Sequence, residues 1–149
     1  MVAKTTVALV ALFLFLLLIT PPSFAQSADA CVGTWYSEGK ESKVEVYKNG
    51  NRYDGKIAWV SRTNADGSPV LDVNNPDEKL RSRTIAGIVI MRDFQYTGKN
   101  QWEDGKIYDP KNGKTYSCKM TLVNKNQLEV RGYIGISLIG RTTTWTRAQ

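Results

Sequence analysis

The stretch Thr115-Tyr116-Ser117-Cys118-Lys119-Met120-Thr121-Leu122-Val123-Asn124-Lys125-Asn126-Gln127-Leu128-Glu129-Val130-Arg131-Gly132-Tyr133 decides the fold. Tyr116, Cys118, Met120 and Leu122 alternate with Thr115, Ser117, Lys119 and Thr121, which is the period of two expected of a strand with one face in a core. After Asn124-Lys125-Asn126 the alternation resumes, with Leu128, Val130, Gly132 and Ile134 on one face and Glu129, Arg131 and Tyr133 on the other. Asn tolerates the positive φ of a tight turn, so the two runs are read as antiparallel neighbours with Cys118 pointing inward.

The same pattern extends in both directions and predicts strands over 33–37, 43–48, 52–60, 88–97, 101–109, 115–123, 127–135 and 140–148. Glu38-Gly39-Lys40, Asn49-Gly50, Gly98-Lys99-Asn100 and Asn112-Gly113 supply further tight turns. Strands joined this closely form an all-β, antiparallel, up-and-down meander, and eight of them can close into a barrel with no exposed edge. Asp54-Gly55-Lys56-Ile57 echoes Asp104-Gly105-Lys106-Ile107, and a glycine inside each strand predicts a bulge or strong bend. The segment from Ser61 to Ala86 is too long for a hairpin loop. Within it, Asn75 as N-cap, Pro76 at the first helical position and acids in the first turn predict one short helix over 76–82, lying as a lid across one barrel end.

The first segment carries Lys4 as its only charge, followed by an apolar run from Val7 to Ile19, Pro21-Pro22 and then Ser23-Phe24-Ala25. This order predicts a secretory signal peptide over 1–25, cleaved after Ala25, and a single domain over 26–149. A membrane anchor is the rival, but the run is shorter than the roughly 20 residues that cross a bilayer. No second such run follows, so no transmembrane segment is expected after cleavage. A lipoprotein site is a poor fit, because Cys31 follows Ala28-Asp29-Ala30 well beyond the apolar run.

The formal net charge of +6 is spread singly, without a Lys/Arg run. That argues against nucleic acid and leaves an anionic small molecule or an anionic membrane face open. Cys31 and Cys118, in an exported chain, predict a disulfide, with two buried thiols as the alternative. The absence of histidine excludes Ser-His-Asp and Cys-His catalysis and removes the commonest metal ligand. No metal or other cofactor is therefore expected. Paired-carboxylate catalysis is poorly served: Glu103 and Asp109 lie about 20 Å apart along one strand, against the roughly 5–10 Å such a pair needs. A cross-strand pair such as Asp54 with Asp104 is left open, and no catalytic residue is assigned.

Gly33-Thr34-Trp35 in the first strand and Arg147 in the last resemble the lipocalin arrangement, in which an arginine stacks over a tryptophan and seals one barrel end. A wider set of motifs resembles the bacterial exported family known as domain of unknown function 2147. They are Gly33-Thr34-Trp35, Asp72-Val73-Asn74-Asn75-Pro76-Asp77, Leu80-Arg81-Ser82-Arg83, Gly105-Lys106-Ile107-Tyr108-Asp109-Pro110, Gly113-Lys114-Thr115-Tyr116, Leu128-Glu129-Val130-Arg131-Gly132-Tyr133 and Gly140-Arg141-Thr142-Thr143-Thr144-Trp145. The resemblance implies a lipocalin-like barrel in the bacterial periplasm or outside the cell, and carries no activity.

Two groups of candidate ligand-binding residues follow from the sequence. Asp72, Asn74, Asn75, Arg81 and Arg83 on the lid, facing Tyr108 and Asp109, would form a polar mouth for a carboxylate or phosphate. Arg–Asp pairs that simply pin the lid are the alternative. Trp59, Trp102, Tyr108, Tyr133 and Trp145 would line an apolar cavity, or would fill a small barrel outright. The leading expectation is a periplasmic protein that holds a small apolar or amphipathic ligand. The alternative is a packed, non-catalytic barrel that docks on an envelope protein, whose identity the sequence does not supply.

Overall fold

Alternating side chains and turns rich in Asn and Gly become eight strands in chain order, described in a computed structural model over residues 27–149. They are β1 (Gly33–Tyr36), β2 (Ser42–Asn49), β3 (Arg52–Val60), β4 (Val89–Gly98), β5 (Gln101–Asp109), β6 (Lys114–Asn124), β7 (Gln127–Tyr133) and β8 (Gly140–Arg147). Each pairs antiparallel with the next, and β1 closes on β8 through Trp35↔Arg147 and Tyr36↔Thr146. The signal peptide expected over 1–25 lies outside the described residues. Among the described residues no helix is long and apolar enough to cross a membrane.

The echoed glycines sit where the ladder slips. Register shifts flank Gly55 in the β3–β4 pair, and another falls between Trp102 and Gly105 in the β5–β6 pair. Both give room to large side chains of β4. A Cβ on Gly55 would lie 3.0 Å from the Met91 sulfur, and one on Gly105 would run into the Phe94 ring. Asp54, beside the first glycine, is buried and accepts hydrogen bonds from Asn49 Nδ2 and Asp93 N, both at 2.8 Å. Asp104 is exposed, so the two carboxylates do not form a buried pair.

One barrel end is closed. A 3-10 turn at Ala28–Cys31 crosses it, receiving Trp102 Nε1 on Ala28 O at 3.0 Å and Trp35 Nε1 on Cys31 O at 2.9 Å. Arg147 lies over Trp35 at 4.1 Å from the ring centre and donates to the carbonyls of Ala30, Val32 and Lys125. Gly33 (φ 138°) leaves the space that the guanidinium occupies. Tyr53 donates to Asp29 at 2.5 Å, which holds that carboxyl below its ordinary range. Trp35, Phe94, Trp102, Met91, Met120 and Leu128 fill the space above this seal, all fully buried.

Two expectations are corrected. Cys31 and Cys118 are both free and buried, so the predicted disulfide is not formed. Cys31 belongs to the 3-10 turn, whereas Cys118 sits inward on β6 between Gly105 and Gly132 of the neighbouring strands. Each acts as a small core hydrophobe, and burial pushes both thiols up to about 12. The lid holds a 3-10 turn at Glu78–Leu80 in place of a helix over 76–82, and Asp77, not Asn75, caps it by accepting from Lys79 N. The Asn75 side chain is already engaged: it accepts from Asp77 N at 2.9 Å and donates to Asp72 at 2.8 Å. That local bonding bends the backbone where a helix would have to start.

Candidate functional site

At the other end, inward positions carry Ile57, Ile90, Ile107, Val130 and Gly132 rather than Trp, Phe and Met, and these smaller groups leave the middle unfilled. The result is a cavity of about 800 Å3 open at the mouth, with Trp145 among its lining residues. Trp145 is nearly buried and turns its Nε1 to Thr143 Oγ1 at 3.1 Å. The rim is charged. Lys111 pairs with Glu41 and holds that carboxyl below its usual range, Arg141 pairs with Glu38 at 3.0 Å, and Arg62 and Asp109 complete the ring.

The long β3–β4 connection is fastened to the mouth by one buried carboxylate. Asp72, fully buried, accepts from Tyr108 Oη at 2.6 Å, Asn75 Nδ2 at 2.8 Å, and Arg83 Nε and Nη2 at 3.0 and 2.9 Å. Burial and the bond to Asp72 push the Tyr108 phenol up to about 12. Asn74 donates to the carbonyls of Pro110 and Lys111, and its own carbonyl occupies the space beside Gly113 (φ 72°) where a Cβ would collide. Arg81 donates to Asn75 O at 2.8 Å. The lid is thus tied down chiefly to the β5–β6 hairpin.

Of the residues singled out in the sequence, Tyr108, Asp109, Tyr133 and Trp145 line the cavity. Asp72, Asn74, Asn75, Arg81 and Arg83 are placed as fastenings of the lid, their polar atoms bonded to the chain itself. Trp102 belongs to the closed end, packed against Tyr53 and Tyr96 with ring centres 6.3 and 5.1 Å away. Trp59 lies on the outer wall, 43% exposed under Lys43 Nζ. A bulge explains that turn outward: Val44 pairs with Ile57 but Lys43 with Trp59, so the extra residue, Ala58, inverts the alternation. Sequence reasoning missed the rim pairs Glu38–Arg141 and Glu41–Lys111, and the aliphatic walls. It also ran the strand on through Ile134, whereas β7 ends at Tyr133 and Ile134 stands at the cavity mouth, 68% exposed. The apolar run between Gly132 and Gly140, too long for a two-residue turn, was the available signal.

Among the described residues no group of three His, Cys, Asp or Glu side chains is arranged to hold a metal ion. An eight-stranded barrel sealed by an arginine over a tryptophan at one end and hollow at the other defines a lipocalin-like protein. The chain belongs to the family described as "Uncharacterized protein conserved in bacteria (DUF2147)", whose model matches residues 33–147. Its fold is similar to that of the Helicobacter pylori protein HP1028, described as belonging to the lipocalin family. That likeness has a TM-score of 0.69 and 27% identity, and covers 79% of this chain and 82% of the other. No curated protein matches the chain significantly.

Proposed function

We propose that this protein is an exported bacterial carrier, periplasmic or secreted, that holds a small apolar or amphipathic ligand in the open half of the barrel. The cavity of about 800 Å3, with aliphatic walls beneath a charged rim, carries this reading. It falls within the range of small-molecule sites, which combine apolar lining with a few placed polar groups. The apolar body of the ligand sits over Trp145, and its polar or anionic end meets Arg62, Lys111 or Arg141 at the mouth. The alternative, a packed barrel acting only as an envelope interaction module, requires a filled interior, and the cavity weighs against it.

Delipidated protein titrated with a fluorescent fatty acid tests the reading. Saturable binding is expected, and Gly132→Leu should weaken it roughly tenfold or more by filling the cavity. A Cβ at Gly132 meets only ordinary contacts, 3.7 Å from Tyr116 and 3.8 Å from Ile107, so the fold should persist. Native mass spectrometry of protein from its own envelope fraction should find a bound small molecule, and an N-terminus at Gln26 would support export. A ligand-free sample together with no fatty-acid binding would sink the proposal.

A further inference from the structure

The connection between β7 and β8 is Ile134-Gly135-Ile136-Ser137-Leu138-Ile139, and its apolar side chains face water. Ile134 is 68% exposed, Ile136 60%, Leu138 85% and Ile139 71%. Single exposed apolar residues are ordinary, but a contiguous cluster at a cavity mouth marks an interaction site. The backbone of this tip is braced from beneath. Arg131 donates to Ser137 O at 2.7 Å, Leu138 O at 3.2 Å and Thr142 Oγ1 at 2.8 Å, while Ile139 N donates to Ile136 O. The carbonyls of Ile136, Ser137 and Leu138 therefore already have donors, which lowers the cost of moving this part of the tip into an apolar medium, where an unpaired backbone group is expensive.

Two further observations identify the medium. Ile134 and Ile139 also line the cavity, so the exposed tip and the apolar walls form one continuous surface. The strand ends and turns framing the mouth over 36–43, 109–114 and 131–142 carry six basic side chains against three acidic ones, with Tyr133 at the base of the tip. An apolar tip above a basic and aromatic collar suits an anionic lipid surface.

We propose that this tip inserts into the surface of a bilayer bearing anionic headgroups and brings the cavity mouth against it, so that ligand passes between bilayer and barrel without crossing water. Insertion stands on the tip itself, while the passage of ligand rests on the carrier reading above.

Flotation of the protein with vesicles of phosphatidylethanolamine and phosphatidylglycerol is the test. Wild type should float with them, and Ile136→Ser combined with Leu138→Ser should lower the bound fraction roughly tenfold or more. Neither residue lines the cavity, so fatty-acid binding in solution should be unchanged in that variant, which also shows that it folds. Because both native thiols are buried, Leu138→Cys can carry an environment-sensitive fluorophore, whose emission should shift to the blue on adding vesicles. Absence of flotation, flotation unchanged in the double variant, or a tip-dependent dimer in sedimentation would overturn insertion. Wild-type protein that floats with the vesicles but binds no fatty acid in solution would overturn the carrier reading and leave insertion standing.

Discussion

The two ends of the barrel are made from the same strands and the same alternation, yet one is solid and the other hollow. At the closed end inward positions carry Trp35, Met91, Phe94, Trp102 and Met120, and Arg147 satisfies three carbonyls while covering the Trp35 ring. At the open end inward positions carry Ile57, Ile90, Ile107, Val130 and Gly132, and the long β3–β4 connection is tied to one side of the mouth through Asp72. Period two dictates which side chains face inward; their sizes dictate whether anything is left to bind. The solid half can hold the barrel together while the hollow half stays open, which is the division of labour a carrier needs.

That contrast can be broken most severely from below. Trp35→Ala should cost about 4 kcal/mol in chemical denaturation, since it empties the core and leaves the Arg147 plane without its partner. A loss below about 1 kcal/mol would mean that the seal is not what stabilises the fold. Asp72→Ala should cost about 3 kcal/mol, because Tyr108, Asn75 and Arg83 all lose their shared acceptor. Limited proteolysis should then cut first between 61 and 86, and cutting elsewhere would show that Asp72 does not hold the lid.

Alkaline pH should act through the solid half. Cys31 and Cys118 are held as thiols with pKa values raised from 9.0 to about 12, so the unfolded chain releases protons first as pH rises. The thiols' contribution to stability is therefore complete below pH 9 and falls through the window from about 9 to 12, by at most about 1.4 kcal/mol per thiol at pH 10. Melting curves of wild type and of Cys118→Ala should converge as pH climbs through that window, and parallel curves would refute the linkage. The gentlest change sharpens the contrast instead: Gly132→Leu should alter stability by no more than about 1 kcal/mol while abolishing most fatty-acid binding. Equal losses of stability and binding would show that the open half is also structural.

Much of the framework was legible in advance because its causes are local. Alternation in β6 and β7, turn residues such as Asn49-Gly50 and Asn112-Gly113, and glycines at the two bends each act within a few residues, and every strand appears within two residues of its expected bounds. The Trp35–Arg147 seal was legible through resemblance. The candidate site was read less well. Trp59 was expected inside, but a single-residue bulge opposite Lys43 turns it out, and alternation carries no mark of a bulge without glycine. Asp72 and Arg83 were recognisable as a group, although choosing between a ligand clamp and a lid fastening requires knowing that Tyr108 Oη arrives from another strand.

The sequence by itself determined an all-β meander of eight strands, the inward rows of its core, a long connection at one end, and the absence of histidine chemistry. Only the tertiary structure decided that the lower half is filled and the upper half empty, that the two thiols stay apart, and that an apolar tip stands exposed at the mouth. The physical reason is one of range. Strand and turn preferences are settled between neighbours in the chain, whereas a cavity, a thiol pair and an unsatisfied surface depend on side chains from distant strands sharing the same volume.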